Sequence, residues 1–232
     1  MYIEQLGVEL PEDPHAIIWR YCDLAKLVSL LDKKELFFPT LEALDDRYEG
    51  FLTGNTLTDA LKHFPAERPR KNLVETWKNA RKQLCVNSWH MNTHESAAMW
   101  KLYLKRDEGV AIRSTFSRLT NCFARAPMDV FVAKVKYIDY AKDLNDPWNV
   151  YKLGLWKRKS FEHENELRAV VMTPDVQVGG IYVPCDVSTL IDEVYVAPSV
   201  PEYFVQSVKA VCDRFDIKKN VLQSNLDAPP PY

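Results

Sequence analysis

The stretch from Lys157 to Val171 reads KRKSFEHENELRAVV and joins a basic tripeptide, alternating glutamates and a run of strand-forming residues. If a strand begins at Glu166, then Glu164, Glu166 and Arg168 project from one face, because side chains alternate along a strand. Two carboxylates and a guanidinium on one face, with aromatic and basic residues just before them, are typical of a functional site. The same pattern is typical of an ordinary solvated edge strand, and at this level both interpretations stay open.

The remaining strand and helix patterns surround this stretch without a strict βαβ alternation. Apolar and alternating runs predict strands at 16–22, 36–40, 84–90, 109–115, 130–138, 166–173, 180–184, 193–196 and 221–224. Capping residues and apolar stripes predict helices after Asp23 and at 61–82 (two pieces, broken at Pro65 and Pro69), 95–105, 116–126, 149–161 and 201–215.

Because the strands cluster toward the second half, the sequence predicts an α+β fold rather than a doubly wound sheet. We expect a single domain over residues 1–232, with a split, mostly antiparallel sheet flanked by helices. A small helical insertion is expected at about 55–83. The proline-rich end, residues 227–232, is expected to be a flexible tail.

Composition excludes several classes of function. The formal net charge of −2 gives no global field toward nucleic acid or anionic membrane. Only seven glycines are present, and neither G-x-G-x-x-G nor G-x-x-x-x-G-K-[ST] occurs, so Rossmann and P-loop sites are not expected. No apolar stretch approaches membrane-spanning length.

The cysteines and histidines predict neither a disulfide framework nor a metal site. Five scattered cysteines without a C-x-x-C pair indicate reduced, mostly buried thiols, and a cytoplasmic protein without a secretory signal is expected. His90 and His94 have helical spacing beside Glu95, but a zincin needs glutamate directly after the first histidine, where Met91 stands. We predict no metal.

Several ordered blocks resemble the bacterial domain-of-unknown-function family two-nine-seven-one, over about residues 17–225. The matching blocks are WRY at 19–21, LFFPT at 36–40, LDDRYE at 44–49, CVNS at 85–88, MWKLY at 99–103, GVAI at 109–112 and the set Lys157, Phe161, Glu164, Glu166 and Arg168. The chain departs from the family pattern at Asp45, Arg47 and Phe161. The resemblance implies that the charged and aromatic residues of these blocks converge, namely Arg20, Glu49, Trp100, Tyr103, Glu164, Glu166 and Arg168.

A second analogy is with ADP-ribosyltransferases. Those enzymes carry an arginine or histidine on a first strand, a hydroxyl residue on a second and a glutamate, often E-x-E, on a late strand. Arg20, Thr40 and Glu164-x-Glu166 occur here in that order. The analogy implies NAD as co-substrate and an enzyme of the bacterial phage-defence or toxin kind. Glu166 would stabilise an oxocarbenium-like ribose, and Glu164 would orient or deprotonate the acceptor.

Cationic, hydroxyl and aromatic side chains elsewhere are the expected substrate-binding residues. They are Arg20, Tyr21, Thr40, Glu49, Ser88, Trp100, Tyr103, Lys157 and Arg168. Arg20 stands in an apolar strand and needs an acceptor, which is either a pyrophosphate or an internal carboxylate such as Glu49 or Glu166. Trp100 on an amphipathic helix is typical of core, and Tyr103 could stack on a base.

The segment from Lys62 to Lys82 is the most basic part of the chain. Such a segment can contact a nucleic acid or a protein acceptor, although most charge runs of this kind are solvated helix faces. The sequence contains no signal for an oligomeric state.

Two further hypotheses belong to other functional classes. A phosphodiester enzyme would use Glu49, Glu164 and Glu166 around a divalent metal. The restriction-type pattern then requires lysine two residues after the second acid, where Arg168 stands. In a non-catalytic sensor or adaptor, the glutamate–arginine network would be purely structural, with Arg20, Glu166 and Arg168 paired and no open cleft around them.

Overall fold

The structure is a computed structural model, and it describes residues 1–4, 7–63, 67–103, 108–176 and 178–230. The side chains of residues 67–70 and 73 lie outside this description. So do Pro65, the last two residues of the helix predicted at 95–105 and the final two residues of the predicted tail.

Strands account for much of the described chain. They are β1 (Ile17–Cys22), β2 (Glu35–Pro39), β3 (Leu84–Met91), β4 (Val110–Thr115), β5 (Phe131–Lys134), β6 (Lys136–Ile138), β7 (Trp156–Arg158), β8 (Glu166–Met172), β9 (Gly180–Pro184), β10 (Glu193–Val196) and β11 (Val221–Gln223).

Helices separate most of these strands. They are α1 (Leu24–Lys33), α2 (Gly54–Lys62), α3 (Glu67–Gln83), α4 (Ala97–Tyr103), α5 (Phe116–Asn121), α6 (Val187–Leu190) and α7 (Glu202–Arg214), with 3-10 helices at Leu41–Ala43, Val150–Leu155 and Lys159–Glu164.

Helix α1 forms as its sequence predicts. Asp23 lies at the N-cap, where its carboxylate accepts a hydrogen bond from the Lys26 N–H at 2.8 Å. Leu27, Leu30 and Leu31 form the buried stripe of the helix. The helix ends at a left-handed residue, Lys34, whose N–H donates to the Leu30 carbonyl.

The sequence-based prediction of a helix at 149–161 is wrong. A 3-10 helix covers Val150–Leu155, strand β7 follows, and a second 3-10 helix covers Lys159–Glu164. Strand β7 pairs in parallel with β6, from Lys136↔Trp156 to Ile138↔Arg158. This partner is about 20 residues away in the chain, so local periodicity does not reveal it.

Two other predicted helices have different limits. The helix predicted at 116–126 is shorter in the structure: it ends at Asn121, and Cys122 is its C-cap residue. Of the segment predicted to be helical at 61–82, most belongs to α3, whereas α2 begins at Gly54 and overlaps the predicted range only at Leu61 and Lys62. Pro69 falls in the first turn of α3, where a missing N–H costs little, so it does not break the helix.

The predicted fold class is confirmed. The described strands form a seven-stranded sheet of order β11-β10-β4-β1-β3-β8-β5 and two small two-stranded sheets, β2-β9 and β6-β7. The pairs β1–β3, β1–β4, β4–β10 and β5–β8 are antiparallel, and β10–β11 is parallel. The chain is therefore α+β with a split, mostly antiparallel sheet, as its element pattern predicts.

The chain divides into two compact units. Unit 1 comprises Met1–Leu10, Phe37–Ser88 and Met128–Val183, and unit 2 comprises Pro11–Leu36, Trp89–Pro127 and Pro184–Tyr232. The single-domain organisation expected from the sequence stays a prediction.

Each unit has its own apolar core. In unit 1, Leu84 and Val86 of β3 pack with Leu153, Trp156 and Val170. In unit 2, the buried side chains come from β1, β4, β10 and the helices, and include Ile18, Leu27, Ile112, Leu119, Val194 and Val208. Six of the seven β8 residues are buried, so this strand carries its charged residues into an interior.

The described residues also bear on three expectations, about membrane-spanning helices, cysteines and metal-binding groups. Among the described residues no helix is long and apolar enough to cross a membrane. The five cysteines are all free and buried, as their spacing predicts. Within the described ranges, no group of three or more His, Cys, Asp and Glu side chains is arranged to hold a metal ion.

Candidate functional site

The two glutamates of the E-x-E pattern lie at the junction between a 3-10 helix and β8 in unit 1. Glu164 is the last residue of the 3-10 helix, and Glu166 is the first residue of the strand. Between them, Asn165 adopts left-handed φ and ψ of 39° and 61°. This turn lets both carboxyl groups lie beside Lys157, although only Glu166 belongs to the strand.

The ammonium group of Lys157 lies among three carboxylates. Its Nζ is 2.7 Å from Glu166 Oε1, 2.8 Å from Glu164 Oε2 and 3.5 Å from Glu49 Oε1. A lysine ammonium has three N–H donors and no acceptor, so one lysine can serve all three carboxylates. A divalent ion shared by the same carboxylates would need this position, and the arrangement therefore does not favour the phosphodiester alternative.

Arg168 completes the network from the other side. Its Nε and Nη2 donate to the two oxygens of Glu166 at 2.8 and 3.1 Å, which is a bidentate pair. Its Nη1 donates to Glu49 Oε2 at 2.5 Å and to the Gly154 carbonyl at 3.0 Å. Glu166 is 4% exposed and Arg168 1% exposed, so both charges are fully inside the protein.

The pKa values of the two glutamates are displaced in opposite directions. Burial alone would raise the pKa of Glu166, but Arg168 and Lys157 outweigh it and hold that pKa well below the usual range. Burial and the neighbouring Glu166 carboxylate raise the pKa of Glu164, although Lys157 opposes them. The pKa of Lys157 is raised despite its burial, chiefly by Glu166.

The charges of this network do not cancel when every group is ionised. Glu49, Glu164 and Glu166 contribute three negative charges, and Lys157 and Arg168 contribute two positive charges, which leaves one negative charge in excess. A buried cluster with an excess carboxylate can hold a proton on Glu164 or stabilise a neighbouring positive charge.

A groove of about 400 Å³ lies beside the network in the same unit. Tyr48, Tyr140, Arg158 and Lys159 are among its lining residues. The Arg158 guanidinium pairs with Asp46 at 2.8 Å and lies 4.7 Å from the Tyr48 ring centroid.

Phe161 connects the network to this groove. Its ring centroid is 4.8 Å from the Lys157 ammonium and 5.3 Å from the Arg158 guanidinium. One aromatic ring thus contacts a cation of the buried network and a cation of the groove wall.

The residues added by the structure are Asp46, Tyr48, Tyr140, Arg158 and Lys159. The signals that could have found some of them are the acidic LDDRYE block and the basic tripeptide at 157–159. Tyr140 follows a strand and has no local signal at all. Burial raises its pKa, and Glu49 and Asp46 raise it further, which shows how near it lies to the carboxylates.

Unit 1 brings together five of the predicted site residues, namely Glu49, Lys157, Glu164, Glu166 and Arg168. Two other predicted residues of unit 1, Thr40 and Ser88, are not among the described contacts of the network. Thr40 is buried, and its N–H donates to the Gly179 carbonyl at 3.1 Å. Ser88 is half-buried on β3.

The other predicted residues belong to unit 2, where two of them, Tyr21 and Trp100, are in ring contact. The Tyr21 and Trp100 rings meet edge to face at 4.9 Å between centroids, and the Tyr21 hydroxyl accepts a hydrogen bond from the Ser96 N–H. Trp100 is 3% exposed and donates to Glu95, which confirms its assignment to the core, whereas Tyr103 is 48% exposed.

Arg20 in the same unit lies over an aromatic ring. Its guanidinium carbon is 6.0 Å from the Trp89 ring centroid. Burial lowers the pKa of this guanidinium. The prediction that it serves a pyrophosphate or pairs with Glu49 or Glu166 stays a prediction.

Comparison with known proteins leaves the family unassigned. No protein-family model matches the chain, and no curated protein matches it. Two solved structures are similar in fold. Thermus sp. 2.9 DarT in complex with NAD+ has a TM-score of 0.43 at 10% identity, covering 92% of this chain and 96% of that chain. Thermus sp. 2.9 DarT in complex with carba-NAD+ has a TM-score of 0.43 at 11% identity, covering 93% and 97%.

A TM-score below 0.5 at this identity is too low to carry a conclusion about this chain. The resemblance to the domain-of-unknown-function family is likewise not confirmed and stays a prediction.

Proposed function

We propose that unit 1 contains an NAD-using site of ADP-ribosyltransferase type, in which the bond between nicotinamide and ribose breaks beside Glu164 and Glu166. The observation that supports the proposal is the position of two carboxylates on one ammonium group, with Glu164 and Glu166 at 2.8 and 2.7 Å from Lys157 Nζ and their pKa values displaced in opposite directions. Neighbouring carboxyl groups whose environments separate their pKa values are the arrangement that acid–base catalysis at a glycosidic bond requires. NAD itself is suggested by the E-x-E resemblance noted in the sequence.

Each glutamate has a different role in this proposal. Glu166 is held ionised by Lys157 and Arg168, and its fixed negative charge stabilises the positive charge that develops on the ribose. The Glu164 side chain is 11% exposed against 4% for Glu166, so Glu164 is the group that contacts substrate and accepts the proton of the acceptor. These are the roles that the sequence-based analogy assigns to Glu166 and Glu164.

The groove supplies the features that a dinucleotide needs. Arg158 and Lys159 are cations on its wall and would attract the phosphates of a dinucleotide, and Asp46 fixes the Arg158 guanidinium through two contacts. Tyr48 and Tyr140 offer ring faces to a base. A volume of about 400 Å³ falls in the usual range for a small-molecule pocket, about 300–1,000 Å³.

The test is incubation of the full chain with NAD and a cell extract, followed by chromatography for nicotinamide and detection of labelled acceptors. We expect nicotinamide release from the parent and a loss of about 100-fold or more in E164Q, since a positioned general base contributes about 10²–10⁴-fold. Glu162 is exposed in the same 3-10 helix, so E162Q is the matched control and should keep the parental rate. Equal rates in the parent and E164Q contradict the assigned role of Glu164.

A second candidate function is a non-catalytic sensor or adaptor. Glu166 and Arg168 are buried and satisfy each other, which is the arrangement expected of a structural network. Absence of NAD turnover under every condition, in a parent protein that is folded, supports this candidate and rejects the enzyme.

A further inference from the structure

Two of the five cysteines lie side by side in unit 2, although they are 63 positions apart (185 minus 122) in the chain. Cys122 is the C-cap residue of α5, and Cys185 directly precedes Asp186, the N-cap residue of α6. Neither cysteine belongs to the site described in unit 1. Their proximity follows from the packing of two short helices and has no counterpart in local spacing.

Backbone hydrogen bonds fix the two cysteine segments next to each other. The Asp186 N–H donates to the Cys122 carbonyl at 2.9 Å, and the Cys185 N–H donates to the Lys34 carbonyl at 2.9 Å. The Cys185 thiol is close enough to Cys122 to raise the pKa of the Cys122 thiol. The Cys122 thiol also donates to the Leu119 carbonyl at 3.0 Å. Because Cys185 directly precedes Asp186, the bond from Asp186 to the Cys122 carbonyl places the two cysteines side by side, which a disulfide between them requires.

A cavity of about 670 Å³ reaches this pair. Both cysteines line it, together with Leu31, Arg125 and Phe215. A small oxidant can therefore approach the thiols without unfolding of the unit. Cys185 is the more exposed of the two, at 8% against 3%.

We propose that Cys122 and Cys185 are a modification site, a dithiol that closes reversibly to a disulfide when a peroxide enters the cavity. The Cys185 thiolate attacks one oxygen of hydrogen peroxide, the O–O bond breaks, and hydroxide leaves, so that Cys185 becomes a sulfenic acid. The Cys122 sulfur then attacks the Cys185 sulfur, the S–O bond breaks, and the hydroxyl group leaves as water with the Cys122 proton. The two sulfurs are oxidised by two electrons in total, and the peroxide is reduced.

The order of events follows from the surroundings of the two thiols. Burial and contact with Cys185 raise the pKa of Cys122 far above its ordinary value, so Cys122 keeps its proton and acts second. Cys185 is the more exposed of the two and reacts first.

The experiment treats the full chain with hydrogen peroxide, removes the oxidant, denatures the protein and titrates free thiols. We expect the count to fall from five to three, with a mass loss of about 2 Da and full recovery after dithiothreitol. Peptide mapping of the oxidised protein should yield one linked pair containing Cys122 and Cys185.

Matched variants separate this site from general oxidation. C212S removes another buried thiol of unit 2 and should still lose two thiols, falling from four to two. After the same oxidation, C122S and C185S should each contain no disulfide, because neither variant retains both cysteines of the pair. Five titratable thiols after oxidation of the parent, or a linked pair that lacks either Cys122 or Cys185, overturns the proposal. Because mapping uses the parent, the result stands even where C122S fails to fold.

The oxidised parent also has a predicted thermal signature. A disulfide that closes a loop of 63 residues restricts the unfolded chain, so the melting temperature should rise on oxidation of the parent and of C212S. It should not rise in C185S, and an equal rise there contradicts the proposal.

Discussion

At the residue scale, the central feature of unit 1 is one lysine, Lys157, whose ammonium group lies among three carboxylates. Lys157 and Arg168 together satisfy Glu49, Glu164 and Glu166 within a region almost closed to water. A complete buried network adds little net stability, because its attraction mainly offsets the cost of desolvating the charges. Removing one partner is different, since it leaves the others charged and unpaired.

The two glutamates should therefore respond very differently to amide substitution. E166Q removes the carboxylate that binds Lys157 most closely and Arg168 at two positions, leaving Glu49 as the anion that both cations share, and should lower the free energy of unfolding by about 3–5 kcal/mol. E164Q should lower it by about 1 kcal/mol or less, because it relieves repulsion from Glu166 and its amide oxygen still accepts from Lys157. Urea unfolding of each variant measures the difference.

The exposed Glu162 again provides the control, since E162Q should leave the unfolding midpoint unchanged. Equal destabilisation by E164Q and E166Q would show that the excess charge is not carried by Glu164.

At the element scale, the ribbon formed by β2 and β9 depends on a close approach of two backbones at Gly180. A Cβ added at Gly180 would lie 2.3 Å from the Phe38 carbonyl oxygen and 2.9 Å from the Pro39 Cα. Both are backbone atoms, so the contact cannot be relieved by rotating a flexible side chain. The absence of a side chain at this position is therefore a packing requirement.

G180A should destabilise the protein by about 1–3 kcal/mol, the usual range for overpacking, because the two strands must separate to admit a methyl group. Thermal unfolding of the purified variant tests this. G54A is the matched substitution: Gly54 begins α2, and nothing lies within 4 Å of its added Cβ. Equal unfolding temperatures for G180A and G54A would show that β2 and β9 can separate with little cost in stability.

At the scale of the whole molecule, the charge network joins segments of unit 1 that are far apart in sequence. The pair between Arg168 and Glu49 spans 119 residues, and the pair between Lys157 and Glu166 spans nine. Protonation or deprotonation of these groups therefore changes the stability of unit 1 as a whole and not only that of one local turn.

The pH dependence of stability follows from the directions of the pKa shifts. Glu166 has a lowered pKa in the folded state, so its contribution is present above the unfolded value of about 4.3 and is lost as the pH falls further. Lys157 has a raised pKa, so its contribution is present below about 10.4 and is lost as the pH rises through the folded value. Stability should be greatest between these limits.

Unfolding by urea at several pH values between 3 and 7 measures how the free energy of unfolding falls at acid pH. The parent should lose stability steeply below about pH 4, and E166Q should lose less over the same interval, because its amide binds no proton. Identical acid slopes for the parent and E166Q would mean that other carboxylates account for the whole effect.

The sequence by itself determined the parts of this protein that depend on neighbouring residues. The cap at Asp23 and the leucine stripe define α1, because capping and amphipathicity are local properties. The mixture of strands and helices predicts the α+β class, and the charges between Lys157 and Arg168 mark the region where the network lies.

Only the tertiary structure decided how distant residues meet. The helix predicted at 149–161 is replaced by β7 and two 3-10 helices because β6 supplies a strand partner that periodicity cannot reveal. The same applies to Glu49 beside Arg168 and to Cys122 beside Cys185, which come together only when separate segments pack. Spacing along a chain encodes which face a residue occupies, whereas burial and pairing depend on what the rest of the chain places against that face.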